Sequence, residues 1–246
     1  MEGAPPPDPM HRADAAEVMV PVLPPAARAM GFWSAAGATV LSLTYVAGQL
    51  AEWLGWLGSA GGPKSASTPL GLAVLLTPSL LLGPAFLLMV VSIHELASAA
   101  RRVWSRAAMA FATAYLVLTG VTYFVQLTWV SPRLAAGRIA GMEPFLFVPF
   151  DSFLYAVDIL GYSLMSAATL LAAPVFMGPG AARAARRFLM ANGLLLPFVA
   201  LQMYWQGLIW IAALWAITFP GATWSVALVF RRAAATAGPR REPAAP

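Results

Sequence analysis

Residues 183–232 read RAARRFLMANGLLLPFVALQMYWQGLIWIAALWAITFPGATWSVALVFRR. Between Arg187 and Arg231 lie 43 consecutive residues without a formal charge. As a single α-helix they would extend roughly 65 Å at about 1.5 Å per residue. The hydrocarbon layer of a bilayer is only about 30 Å thick and needs roughly 20 helical residues. The run is therefore two spans, and Trp205-Gln206-Gly207 is the natural place for a tight hairpin, giving spans of about 187–205 and 208–230. A single span would leave either the arginines at 183–187 or the Arg231–Arg232 pair on the wrong side of the membrane.

The rest of the chain divides in the same way. Uncharged stretches occupy Ala29–Ala51, Ser65–Ser92, Ala107–Val130 and Ile159–Ala182. They predict further spans of about 30–56, 69–95, 107–130 and 151–177. Twelve of the fifteen basic residues then fall in alternate connecting segments: Arg12 and Arg28; Arg101, Arg102 and Arg106; Arg183, Arg186 and Arg187; Arg231, Arg232, Arg240 and Arg241. Lys64, Arg133 and Arg138 are the exceptions. This alternation is the positive-inside pattern. It predicts an all-α, polytopic bundle of six transmembrane helices with both termini cytoplasmic, in a bacterial-type inner (plasma) membrane. Tryptophans agree: Trp33 and Trp104 fall near the inner interface, and Trp53, Trp56, Trp129, Trp205 and Trp210 near the outer one, where amphipathic indoles are favoured. Residues 1–28 and 233–246 read as disordered cytoplasmic tails flanking a 29–232 membrane domain, with Val18–Leu23 able to lie on the membrane surface.

Composition narrows the chemistry. The chain is 60% hydrophobic and 10% charged, with a net charge of +5 and no cysteine. Its arginines flank apolar runs, which suits headgroup contact and not nucleic acid. Thiolate catalysis and Cys-ligated metals are excluded. The two histidines, His11 and His94, are far apart in sequence, and no cofactor or metal is expected. No nucleotide-binding loop, zinc-protease motif or nucleophile elbow occurs. His94 and Glu95 are neighbours on a helix and do not face each other, so Glu95 is expected to pair with Arg101 or Arg102.

Polar residues inside the spans supply the candidate site. Tyr45, Gln49 and Glu52 recur at spacings of four and three, so they share a helical face. Asp151, Tyr155, Asp158 and Tyr162 do the same in the fourth span. Gln126, near Tyr123, ends the third span, and Gln202 lies near the end of the fifth. All are assigned to the outer half. Acids at that depth cost several kcal/mol and face protein or a wet cavity. The expected site is thus an outward-facing polar pocket built from Glu52, Asp158, Gln49, Gln126, Tyr155 and Gln202. It would bind or move a small polar or cationic solute such as a cation, amine or polyol. The alternative for the same residues is that amides and tyrosines hold helices together, while Asp151 and Glu52 touch headgroup water.

Two other functions remain open from sequence. One is an intramembrane enzyme using Glu52 or Asp158 as general base on a lipid or small substrate. The other is a non-catalytic regulatory or packing subunit, with a homo-oligomeric or other membrane-protein partner meeting Trp215 and Trp224 on a lipid-facing sixth span. The apolar stretch 143–150 is too short to span and is expected to lie in the outer interface or cap the bundle mouth. Prolines in the second and fifth spans (Pro78, Pro84, Pro197) would suit an inverted repeat, although the halves show no residue-level similarity.

Overall fold

In a computed structural model of the chain, residues 23–62 and 66–235 are described, save the side chains of Ala234 and Ala235. Lys64, residues 18–22 and the greater part of both expected tails lie outside the described residues.

Six helices long and apolar enough to cross a membrane run over Pro25–Trp53, Pro69–Glu95, Ala99–Ala135, Phe153–Val175, Ala181–Leu201 and Gln206–Ala233. The first is α1, Pro25–Trp53, which begins on Pro25, within the stretch expected as tail. Proline suits the first turn of a helix because no intrahelical acceptor is needed there. The second is α2, Pro69–Glu95, started by Thr68, whose hydroxyl accepts from Gly71 N. It continues past both Pro78 and Pro84 as one helix.

The third span comprises α3, Arg102–Val125, a π-helical turn over Gln126–Val130, and α4, Ser131–Ala135. The fourth is α5, Phe153–Ala172, capped by the Ser152 hydroxyl. Asp151 therefore precedes the helix and is exposed, which removes it from the face expected for Tyr155, Asp158 and Tyr162. The 43-residue run divides as its length requires. It forms α6, Ala181–Gly193, and α7, Leu196–Leu201, then a turn, then α8, Ile209–Ala212, and α9, Trp215–Ala235.

Successive spans pack side by side and close into a ring, α1 on α2, α2 on α3, α3 on α5, α5 on α6, α6 on α9 and α9 back on α1. The arginine clusters share one end of it. Arg28 Nη1 donates to Ala233 O at 3.2 Å, His94 Nδ1 lies 2.7 Å from Ser105 Oγ, and Arg232 Nη1 approaches Gly180. Glu95 is exposed and forms no pair with Arg101 or Arg102; His94 makes the interhelical contact instead. The opposite end carries the described parts of the first connection, 54–62 and 66–68, and the 136–152 connection.

Lipid is as apolar as leucine, so helices associate through close packing and interhelical hydrogen bonds. Thr39 Oγ1 donates to Thr223 Oγ1 at 2.8 Å between α1 and α9. Asn192, the one asparagine of the chain, ties three helices together. Its amide donates to Thr169 Oγ1 at 3.0 Å and accepts from Thr218 Oγ1 at 3.1 Å. The outer surface is apolar, with Trp33, Val40, Val117, Phe124, Ile217 and Trp224 exposed. Trp215, by contrast, is buried, so the sixth span does not present both tryptophans outward.

At Gly193, α6 packs directly against the α5 backbone at Leu170. A Cβ there would meet Leu170 Cβ and lie 2.7 Å from Leu170 Cα and 2.8 Å from its N, so backbone itself would have to move. Gly193→Ala should lower stability by about 1–3 kcal/mol, as overpacking commonly does. Gly120→Ala, with nothing within 4 Å of the added atom, should leave it unchanged or slightly raised. Thermal unfolding of both variants in the same detergent checks the pair.

Candidate functional site

Five acids occur among the described residues. Glu95, Glu143 and Asp151 are exposed, whereas Glu52 and Asp158 are buried, at 4% and 5% relative exposure. These two buried acids lie on the wall of the same cavity, which has a volume of about 290 Å³. It sits at the end opposite the arginine clusters and is half open, between the 54–68 connection (Gly62, Ser67) and the 136–152 connection (Phe147, Pro149).

Glu52 reaches the cavity from the last turn of α1. Neither of its carboxylate oxygens has a hydrogen-bond partner in the protein. The group lies against the first turn of α2, where a Cβ on Gly71 would stand 2.7 Å from Oε2. Gly71 therefore makes the room that the carboxylate occupies. A helix N-terminus favours an anion by about 0.3–1 kcal/mol. Burying an ion carries a penalty of several kcal/mol, so the α2 dipole alone leaves most of it uncompensated.

Asp158 projects from the second turn of α5. Its Oδ1 is buried without a partner, and the Tyr123 hydroxyl lies beside the carboxyl group. Five of the six tyrosines, Tyr45, Tyr115, Tyr123, Tyr155 and Tyr162, are within electrostatic reach of it. Tyr123 donates to the Tyr162 hydroxyl at 3.3 Å. Gln49 Nε2 donates to the Tyr45 hydroxyl at 2.7 Å, and Gln202 Nε2 donates to Val199 O at 3.0 Å.

Glu52, Asp158, Gln49, Tyr155 and Gln202 thus share one cavity wall. Gln126 does not join them. It is fully buried in the π-helical turn, and its Nε2 donates to Phe145 O at 2.6 Å. Its amide anchors the connection lying over the bundle instead of facing the cavity. That connection covers the cavity as a cap. Phe147 and Phe150 pack on Tyr155 at ring distances of 5.6 and 5.4 Å, and Phe150 holds φ at 68°. Positive φ is unfavourable for a bulky side chain and persists where surrounding contacts impose it.

Five further aromatic residues line the wall: Tyr45, Trp53, Phe147, Tyr162 and Trp215. Tyr45 and Tyr162 lie on the two polar faces read from helical spacing, and Phe147 in the stretch expected over the bundle mouth. Trp53, by contrast, reads from sequence as an interface anchor and Trp215 as a lipid-facing residue. Trp215 and Tyr162 also belong to a closed ring of aromatic contacts. Trp215 stacks on Phe219 (5.0 Å, 11°), and Phe219 meets Phe86 (5.6 Å). Phe86 meets Tyr115 (5.6 Å), Tyr115 meets Tyr162 (5.8 Å), and Tyr162 returns to Trp215 (5.5 Å). Phe86, Tyr115 and Phe219 are fully buried, so this layer closes the cavity on the arginine side. Among the described residues no group of three or more His, Cys, Asp or Glu side chains could hold a metal ion.

No protein-family model matches the chain, and no curated protein or solved structure matches it.

Gln126→Leu keeps the volume of the side chain but leaves Phe145 O without its donor. Breaking such a bond costs about 1–3 kcal/mol, here expressed locally. Amide hydrogen exchange in residues 145–150 should become faster in this variant while exchange in α5 stays unchanged.

Proposed function

We propose that this polytopic membrane protein binds a small cationic solute in the cavity, from the outer side of the membrane, and that Glu52 and Asp158 supply the charge that attracts it. The observation behind this reading is that the two buried acids share one cavity wall while neither Glu52 oxygen has a protein partner. An isolated buried carboxylate is expensive, whereas a cation drawn between two of them relieves that expense and is itself desolvated at little loss. The outward orientation follows from the charge alternation, since the cavity lies at the end away from the arginine clusters. Gln49, Tyr155 and Gln202 shape the wall, and Gln126 acts by holding the cap.

Movement of the solute across the membrane would require the aromatic layer of Phe86, Tyr115, Tyr162, Trp215 and Phe219 to part. With no ATP-binding motif in the sequence, such movement would run down a gradient or depend on a partner. Binding is therefore the primary activity, and transport a second step with its own test.

A purely structural role and a binding role predict opposite stability effects. A carboxylate held in a structural pair destabilises the fold by about 3–5 kcal/mol when its partnership is broken. An unpaired one is neutral or stabilising to remove. Glu52→Gln and Asp158→Asn should each keep or raise the unfolding temperature in detergent. Each should also weaken binding of cations, surveyed from methylammonium to benzyltrimethylammonium, by about tenfold or more, which corresponds to about 1.4 kcal/mol. Native affinity in both variants would sink the reading. Saturable uptake of the same cations by proteoliposomes, absent in the variants, would add transport to it.

A further inference from the structure

We infer that the occupant is an organic ammonium bearing an apolar or aromatic body, and neither a bare metal cation nor a polyol. This rests on the reading of the cavity as a cation site and narrows it.

Three features of the wall select this class. Glu52 and Asp158 are the two acids on the wall, and its other side-chain oxygens are neutral amide and hydroxyl groups. A hard cation such as calcium takes about 6–8 oxygen ligands at close range, and no cluster of three acid or imidazole groups exists among the described residues. A polyol would need several free donors and acceptors. The two wall amides, however, each commit one Nε2 hydrogen, to the Tyr45 hydroxyl and to Val199 O. The wall's buried, unpartnered acceptors are carboxylate oxygens, which suit a cation before a neutral hydroxyl. What the wall offers in quantity is aromatic surface: Tyr45, Trp53, Phe147, Tyr155, Tyr162 and Trp215.

An ammonium group over such rings is attracted by their quadrupoles, and the attraction grows when water is excluded. The rings are also held in place. Trp215 is fixed by the Phe219 stack, by Tyr45 and Tyr162 meeting it at 88° and 80°, and by its indole N–H donating to Met165 Sδ at 3.4 Å. A preorganised surface of this kind loses little freedom when a ligand arrives. The volume of about 290 Å³ stands at the lower edge of small-molecule sites, enough for an ammonium and a body of about one ring. Anions are disfavoured by the same two acids. Of the two cations that precede the cap, Arg133 is engaged by the Trp129 ring at 4.4 Å and by Trp129 O at 3.0 Å, and Arg138 is exposed; neither lines the cavity.

The test uses the full-length protein in lipid nanodiscs and three soluble probes, titrated calorimetrically: benzyltrimethylammonium, methylammonium and benzyl alcohol. Benzyltrimethylammonium should bind at least about tenfold tighter than either of the others. Trp53 is a wall residue near the mouth, half exposed and paired with exposed Trp210, so its replacement spares the core. Trp53→Leu should weaken benzyltrimethylammonium binding several-fold while Trp53→Phe retains most of it, with unfolding temperatures unchanged. Methylammonium binding as tightly as benzyltrimethylammonium would overturn the ligand class and leave the cation site standing. Benzyl alcohol binding as tightly as benzyltrimethylammonium, or no binding of any probe, would overturn both. Full affinity in Trp53→Leu would remove the aromatic contribution assigned to the mouth.

Discussion

Burial of two carboxyl groups within the bundle is the constraint on which the rest of this structure depends. Glu52, with neither oxygen partnered, and Asp158, with one oxygen unpartnered, stand in one cavity, while the other three acids among the described residues are exposed. Their surroundings look permissive, not compensating. Gly71 leaves space for the Glu52 carboxylate, and the α2 N-terminus leans a weak positive potential on it. The tyrosines around Asp158 bring hydroxyl groups to an otherwise apolar region, yet one of its oxygens still has no partner. A protein that needed these acids only for packing would be expected to satisfy them, because half-satisfied buried polar groups are worse than apolar ones.

The cavity is bounded by two different kinds of barrier. On the arginine side stands the five-membered aromatic layer, built from α2, α3, α5 and α9 and fully desolvated over three of its members. On the other side stands the 143–150 stretch, held by one amide bond from Gln126 and by Phe147 and Phe150 packed on Tyr155. The first barrier is a packed core shared by four helices, the second a short connection with irregular backbone. Local opening is drawn from segments with few buried contacts, so exchange through the end that carries the connections is the easier route. Passage towards the arginine end demands repacking of the bundle centre.

The spans were legible because length and charge are one-dimensional quantities. Forty-three uncharged residues cannot be one membrane crossing, and the arginines at 183–187 and 231–232 require an even number of crossings between them. Helical spacing and distance from the membrane boundary also put Glu52, Gln49, Tyr155, Asp158 and Gln202 at similar depth, whereas their meeting in one cavity depends on helix rotation that spacing does not give. Gln126 escaped because its amide is taken by Phe145 O, nineteen residues on, a contact that helical spacing does not reveal. Asp151 escaped because Ser152 starts the helix after it. Gly71 carried no signal, and Trp215 read as a lipid-facing residue although it is buried. Their importance comes from contacts with α1 and α5, and such contacts depend on helix rotation within the ring.

The central claim is that Glu52 and Asp158 face one water-accessible cavity on the side opposite the arginine clusters. The native chain has no cysteine, so single introduced thiols report cleanly. The most direct measurement is the reaction of Glu52→Cys, Asp158→Cys and Ala184→Cys with a membrane-impermeant, cationic methanethiosulfonate applied to intact cells. The account predicts modification at positions 52 and 158 from outside, each slowed by an excess of benzyltrimethylammonium, and none at 184 until the cells are opened. Modification of Ala184→Cys from outside, or failure of Asp158→Cys to react while Glu52→Cys reacts freely, would contradict it.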